Sequence, residues 1–478
     1  MKDITELYDL YRQHQPLTTD SRDCPEGSTF LALRGQHFDG NQYAVKALEQ
    51  GCAIAIVSDE SVRQTAPDEL RERIIVVDDT LQTLKQLARH HRRQFDIPVL
   101  AITGTNGKTT TKELVAAVLS KKYRVLYTEG NLNNDIGVPK TLLRLTPEHQ
   151  IAVVEMGASH PGDIKTLVET AEPTCGLITN VGRAHLEGFG SFEGVCRTKG
   201  ELYDYLAAHD GMVFLNGADE QLRSMADERN IPQSKEKRFT YGVPPTYEEW
   251  LKGKRAKLRV YTNEYFCGPR LGLIWFYVKE PWMTIGEGVQ TQLVGDYNVN
   301  NVLAAVAVGC YFDVWMSDIS DALRSYRPTN SRSQLVKTDT NTLVVDAYNA
   351  NPSSMEKAIE TLKNMKSDLP KMAILGQMNE LGSESRSEHR RVISLLAQTD
   401  ITHIILIGHE FAEAWTELSA GPTDSGKQAD GRQLPQDVTV CRDTDEARRW
   451  LTDHKPEGRL ILIKGSNSLH LYELPQLL

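Results

Sequence analysis

Residues 98–120 read PVLAITGTNGKTTTKELVAAVLS: an apolar run, a glycine-rich turn and a helical pattern in one passage. Pro98 to Thr103 carry almost no polar residue, as in a strand covered on both faces. After the turn, Leu114, Val115, Val118 and Leu119 recur at helical spacing and mark one apolar face. Between the two lie Gly104, Thr105, Asn106, Gly107, Lys108, Thr109 and Thr110. Glycines there let the backbone aim N–H groups at phosphate oxygens, and the helix N-terminus adds its positive dipole. Lys108 can reach the outer phosphates, and Thr109 offers a hydroxyl to Mg²⁺. Ile102 stands where the usual G-x-x-x-x-G-K-[ST] pattern has its first glycine, so this is a shorter G-x-x-G-K-T loop. The bland alternative is a plain glycine turn before a helix.

Outward from this unit, IAVVEM (151–156) and TCGLITNV (174–181) read as further strands ending in polar loops. Glu155, at the end of the first, can hold Mg²⁺ directly or through water, or can be a solvated strand-end acid. His185, in the loop after the second, can ligate a metal, orient a phosphate or fill space. Residues 29–77 describe a small α/β unit, followed by a helix over 81–94. The aromatic, Pro- and Lys-rich stretch 232–290 reads as irregular, and NVNNVLAAVAVGCYF (298–312) as a helix. Beyond RPTNSR (327–332), the segments LVVDA, MAILG, IILIG and LILIKG alternate with loops and helices, the last of them terminal. That alternation predicts a parallel, doubly wound sheet with functional loops at the strands' carboxyl ends. Residues 421–433 read as a surface loop. The expected fold is therefore α/β in three domains: a small N-terminal α/β domain over 1–85, a central P-loop-type mononucleotide-binding α/β domain over 86–328 and a C-terminal Rossmann-like domain over 329–478.

Length and charge agree with this outline. At about 150 residues per domain, 478 residues suggest three domains. Lys plus Arg is 54 and Asp plus Glu is 64, giving a net charge of −10, which disfavours nucleic acid or an anionic membrane as the main partner. The seven cysteines are scattered without a C-x-x-C pair, which argues against a disulfide framework or zinc cluster and for a reducing compartment. The N-terminus lacks an apolar signal region, and the longest apolar run, Val302 to Phe312, is shorter than the roughly 18 residues of a membrane span. A cytoplasmic protein without membrane insertion is expected.

Six ordered strings carry a family resemblance: Gly104 to Thr110, GNLNNDIG (130–137), Glu155-Met156-Gly157, the His185 segment, Thr198 to Glu201, and Gly295 to Asn301. Together they resemble the Mur ligase family. The likeness extends to Thr19-Asp20-Ser21-Arg22 with Phe30 to Asp39, similar to that family's uridine-binding domain, and to Asp346 through Asn351, similar to its C-terminal domain. The resemblance implies an ATP-dependent amide ligase, most similar within the family to members that add D-alanyl-D-alanine to UDP-N-acetylmuramoyl-tripeptide, and working as a monomer. Thr109 and Glu155 would bind one Mg²⁺, and His185 a second with Lys199, which resembles the family's carbamylated lysine. Carbamylation needs an amine that is neutral long enough to capture CO₂; the bland reading of Lys199 is an ordinary helical lysine.

Other positions keep two readings each. Asn298 and Asn301 can match adenine's N6 and N7 edge, while Asn298 can instead cap a helix. Asn133, Asn134 and Asp135 resemble residues set against the UDP substrate but can form a simple turn, and Ser21 and Arg22 resemble uridine contacts but can be surface residues. Arg332, Asp346 and Tyr348 match positions that close over ATP and the reacting carboxylate. Lys464-Gly465-Ser466 resembles a strand-end loop of the family, with Asn467 where relatives often carry Arg. The run His90 to Arg93 reads as a solvated helix end. D-N-P-R, carried by relatives that accept diaminopimelate, is absent; the neutral amides in the loop from Asp346 to Pro352 suit a dipeptide acceptor. Alternatives are another Mur ligase, a folylpolyglutamate synthase-like ligase, disfavoured by T-D-S-R, and a P-loop switch protein, disfavoured by the absence of N-K-x-D.

Overall fold

The computed structural model describes residues 3–35, 37–234, 236–244, 258–280, 283–328, 332–420, 434–435 and 437–478. They form three sheets. The first has four short parallel strands, Leu17–Thr18, Thr29–Leu31, Ile54–Val57 and Ile74–Val76, adjacent in sequence order. The second has nine strands and runs in space from Met283–Gln290 through Leu271–Glu280, Val260–Cys267, Arg238–Gly242, Met212–Asn216, Cys175–Ile178, Val99–Thr103 and Ile151–Glu155 to Val125–Tyr127. The third orders Gln334–Lys337, Thr342–Asp346, Leu460–Lys464, Lys371–Gly376, His403–Ile407 and Val438–Cys441.

The apolar run that opens the phosphate loop is the strand Val99–Thr103, and its burial on both faces explains why it carries almost no polar residue. Leu100 and Ile102 join one core layer with helices Lys108–Leu119 and Val299–Tyr311. Val99 and Ala101 join the opposite layer with Ile164, Leu167 and Leu202. A strand covered on both faces reads as a continuous apolar string. Helix Val299–Tyr311 is buried nearly all round, so its pattern shows little amphipathicity. The third sheet likewise carries a core on each face, as a doubly wound, Rossmann-like unit requires.

Several expectations need correction. Residues 232–290 are not irregular: among those described, strands Arg238–Gly242, Val260–Cys267, Leu271–Glu280 and Met283–Gln290 extend the central sheet, the last three pairing antiparallel. Leu271, Leu273 and Trp275 face the core, whereas Ile274 is exposed, and a register shift between Tyr261 and Glu264 interrupts the alternation. The C-terminal sheet is parallel except for its edge strand Gln334–Lys337, and it includes Val438–Cys441, which sequence reading missed. The expected terminal helix is instead two 3₁₀ segments, Asn467–Leu469 and Leu471–Leu477, the second containing Pro475. Residues 421–433 lie outside the described residues.

The run at 90–93 is not a solvated helix end. His91 is buried, with Tyr8 Oη 2.8 Å from Nδ1 and Leu145 O 2.9 Å from Nε2. Arg92 is buried too and donates to Ala171 O at 3.1 Å and Phe95 O at 2.8 Å. Burial holds the imidazole below its usual pKa, so it is a neutral joint between the N-terminal helix Ile4–Gln13 and the central sheet's helices. All seven cysteines are free, and no described helix is long and apolar enough to cross a membrane.

Candidate active site

Strand Val99–Thr103 delivers the chain into the loop at 104–107, and Gly107 starts helix Lys108–Leu119 with φ +79° and no side-chain cap. The first-turn N–H groups of an uncapped helix are an anion site. Lys108 folds back, donating to Gly104 O at 2.8 Å and Thr105 O at 2.9 Å. Desolvation lowers its pKa to about 8; Arg332 adds to that shift and Glu155 opposes it.

Glu155 is buried at the end of strand Ile151–Glu155, beside the loop strand. Its Oε1 accepts from Thr109 Oγ1 at 3.1 Å and Asn133 Nδ2 at 2.8 Å. Its Oε2 is buried with no hydrogen-bond partner, and the Lys112 ammonium stands 3.8 Å away. An orphaned carboxylate oxygen beside a threonine hydroxyl is an oxygen donor set of the kind Mg²⁺ takes, so these residues fit the ion. Lys112 was not singled out in the sequence, although it lies four residues after Lys108 and so on the same helix face. Burial lowers its pKa, with Glu155 opposing.

His185 has a left-handed backbone, φ +50°, and its imidazole pairs with the carboxylate of Glu380, also left-handed, from the C-terminal domain. Lys199 is buried on helix Phe192–Ala208, with its ammonium 5.5 Å over the Phe189 ring; that ring stands at right angles to His185. Desolvation drives the Lys199 pKa well down, and the Lys108 charge adds to it. A buried amine held neutral is the form that can capture CO₂.

The opposite wall comes from the C-terminal sheet. Asp346 and Lys464 end neighbouring strands, and their side chains bond at 2.7 Å, while Lys464 also donates to Asn349 O at 3.1 Å. The Arg332 guanidinium lies 3.8 Å over the Tyr348 ring with its Nε buried and unpartnered. One cleft brings together Thr105 to Thr110, Glu155, His185, Asn298, Asn301, Arg332, Asp346 and Tyr348. Lys199 is not part of its lining.

The two asparagines of the buried helix are already engaged. Asn301 donates to Asn298 Oδ1 at 2.8 Å and accepts from Thr111 Oγ1 at 3.1 Å, and Asn298 donates to Val294 O at 2.7 Å rather than capping the helix. The other expected substrate contacts lie away from the cleft. Asn134 Oδ1 accepts from Gly137 N at 2.8 Å, Asp135 pairs with Lys85 at 3.5 Å, Ser21 is buried, and exposed Arg22 pairs with Asp20. Asn133 alone of that group reaches Glu155. Glu380 and Lys464 carry signals that sequence reading could have weighted: each closes a strand of the alternating C-terminal pattern or sits in the loop after one.

A phosphate loop on one domain, faced across a cleft by an arginine from another whose Nε has no hydrogen-bond partner, defines a nucleotide-dependent enzyme whose site is completed between domains. Family models described as Mur ligase family, catalytic domain, Mur ligase middle domain, and Mur ligase, glutamate ligase domain match residues 15–92, 102–309 and 331–467. The UDP-N-acetylmuramoyl-tripeptide--D-alanyl-D-alanine ligase of Bacillus subtilis (strain 168) is 31% identical over 96% of this chain and 92% of its own length. The ligase of the same name from Escherichia coli (strain K12) is 32% identical over 86% and 85%. A crystal structure of MurF from Acinetobacter baumannii superposes with a TM-score of 0.81 at 28% identity, covering 99% of this chain and 97% of that one. The chain belongs to the Mur ligase family and is an ATP-dependent ligase.

Proposed function

We propose that this enzyme joins D-alanyl-D-alanine to UDP-N-acetylmuramoyl-tripeptide at the cost of one ATP, forming the pentapeptide precursor of peptidoglycan. The observation that carries this reading is the cleft, where Arg332 faces the loop at 104–110, in a chain that aligns almost end to end with relatives bearing that ligase name. The tripeptide's terminal carboxylate attacks the γ-phosphorus of ATP, giving an acyl phosphate and ADP. The dipeptide amine then attacks the acyl carbon, and phosphate leaves from the tetrahedral intermediate.

The helix N-terminus and Lys108 hold the phosphates, which requires Lys108 to leave the two carbonyls it now touches. Arg332 stabilises charge on the transferring group. Thr109 and Glu155 would hold one Mg²⁺, and His185 with carbamylated Lys199 a second; the ions neutralise phosphoryl charge when bound. Asn298 and Asn301 brace the loop helix, and a contact with the adenine edge has to replace bonds they already make. Asp346 and Tyr348 line the C-terminal wall of the cleft, while Ser21, Arg22, Asn134 and Asp135, outside it, would meet the UDP end of the substrate. Asn349 and Asn351, expected to meet the dipeptide, spend amide groups within the protein, so a contact with the dipeptide has to replace or share those bonds. Use of ATP and UDP-linked precursors fits a cytoplasmic enzyme, and a monomer is expected.

The test is product mass after incubating enzyme, ATP, Mg²⁺ and UDP-N-acetylmuramoyl-tripeptide with one amine at a time. D-Alanyl-D-alanine is expected to be ligated, while free diaminopimelate, lysine and glutamate are not, because a buried unmet charge is strongly disfavoured. A dominant single-amino-acid adduct overturns the assignment.

A further inference from the structure

We propose that Asn351 is a positioning residue that couples the phosphate loop to the C-terminal domain, fixing the two walls of the cleft in register. The proposal rests on the reading of that cleft as the ligase site. Asn351 caps helix Pro352–Asn364, and its orientation is fixed by a reciprocal pair of bonds: Oδ1 accepts from Ser354 N at 2.9 Å while Asn351 N donates to Ser354 Oγ at 3.1 Å. With the oxygen bound to its own helix, the amide nitrogen points outward and donates to Asn106 Oδ1 at 2.8 Å. The capping interaction thereby dictates which end of the amide the other domain meets.

Asn106 is held as firmly on its side. Its N–H donates to Asn180 Oδ1 at 3.1 Å, and its carbonyl accepts from Thr179 Oγ1 at 2.6 Å and Asn180 Nδ2 at 2.9 Å. The phosphate loop is thus pinned to the end of strand Cys175–Ile178, and its one outward amide oxygen is spent on the C-terminal domain. The same seam is closed by Arg183 N donating to Ser353 Oγ at 3.2 Å and by the Arg183–Glu388 ion pair at 3.0 Å. A phosphate-induced shift at 104–107 is transmitted to the helix that begins beside the loop at 346–351, and domain closure is felt by the phosphate loop.

A double-mutant cycle tests this. Asn351→Ser keeps a good helix cap but is too short to reach Asn106, and Asn106→Ala removes the acceptor. Two readouts are taken on the full-length enzyme: kcat/KM for the dipeptide at saturating ATP, and contraction of the radius of gyration by X-ray scattering on adding the β,γ-imido analogue of ATP with Mg²⁺. Each single variant is expected to lose about two- to tenfold in kcat/KM and part of the contraction, and the double variant to be no worse than the weaker single one. Thermal unfolding of Asn351→Ser at the parent temperature shows that the cap survives. Losses that multiply in the double variant, or contraction equal to the parent's in Asn351→Ser, overturn the coupling. The scattering readout needs only nucleotide, so its failure is separable from an error about which amine is ligated.

Discussion

Gly107→Ala isolates the physics of the phosphate loop. Two costs can be read from the structure. The first is backbone strain: Gly107 has φ +79°, where an L-residue loses about 1–2 kcal/mol. The second is steric, because a Cβ there would stand 2.6 Å from Asn301 Oδ1 and 3.2 Å from its Cγ. Asn301 is buried and cannot move without giving up its bond to Thr111 or to Asn298, at about 1 kcal/mol or more for each bond lost. The sum is about 3 kcal/mol, which corresponds to about a hundredfold loss of affinity if the loop relaxes out of its anion-binding shape. Gly162 supplies the control: it also starts a helix, Asp163–Ala171, with φ +87°, but a Cβ there meets nothing within 4 Å. Gly162→Ala therefore carries only the strain. Calorimetric titration with ADP at fixed Mg²⁺, alongside thermal unfolding, separates the two. Both variants should unfold at lower temperature, but only Gly107→Ala should lose ADP affinity by about two orders of magnitude. If Gly107→Ala binds ADP within about threefold of the parent, the argued contact with Asn301 is not what shapes the site.

Lys108, with a pKa near 8, loses its proton as pH rises through that value in the free enzyme and keeps it beside a phosphate. ADP binding above pH 8 should therefore take up a proton and weaken as pH rises, measured by calorimetry in buffers of different ionisation enthalpy; the absence of uptake in the parent counts against the assignment. Lys199→Ala should be nearly inactive and partly restored by formate or acetate, and ¹³C-bicarbonate should give a carbamate carbon signal in the parent alone; a fully active variant defeats the carbamate reading.

The sequence displays local patterns and conceals partners. The strand Val99–Thr103, the loop after it and the four central strands of the C-terminal sheet were legible because each is an apolar run bounded by polar loops. Strands Val260–Cys267 and Leu271–Glu280 were not, since aromatics on both faces and the irregularity near Tyr261 hide the period of two. His91 and Arg92 look like surface residues because their partners, backbone carbonyls and the Tyr8 hydroxyl, include several more than fifty positions away, and such pairings have no signature in sequence. At the site, Thr109 with Glu155 could be paired by motif and strand end. Lys112 matters through its distance to Glu155, which only the folded chain reveals, whereas Glu380 and Lys464 stand at strand ends or strand-end loops but show their partners only when folded.

The folded-back position of Lys108 bears on inhibitor chemistry. The loop carries its own ligand, two carbonyl oxygens already seated on the ammonium, so an incoming anion must displace them and gains less than it would at an open site. Simple oxyanions in a purification buffer are correspondingly expected to compete poorly with nucleotide. A neutral compound that offers a paired acceptor in the geometry of those carbonyls can recruit the same lysine without stripping water from a phosphate, and so without that desolvation cost. Such a compound must displace the same two carbonyls but need not imitate ATP.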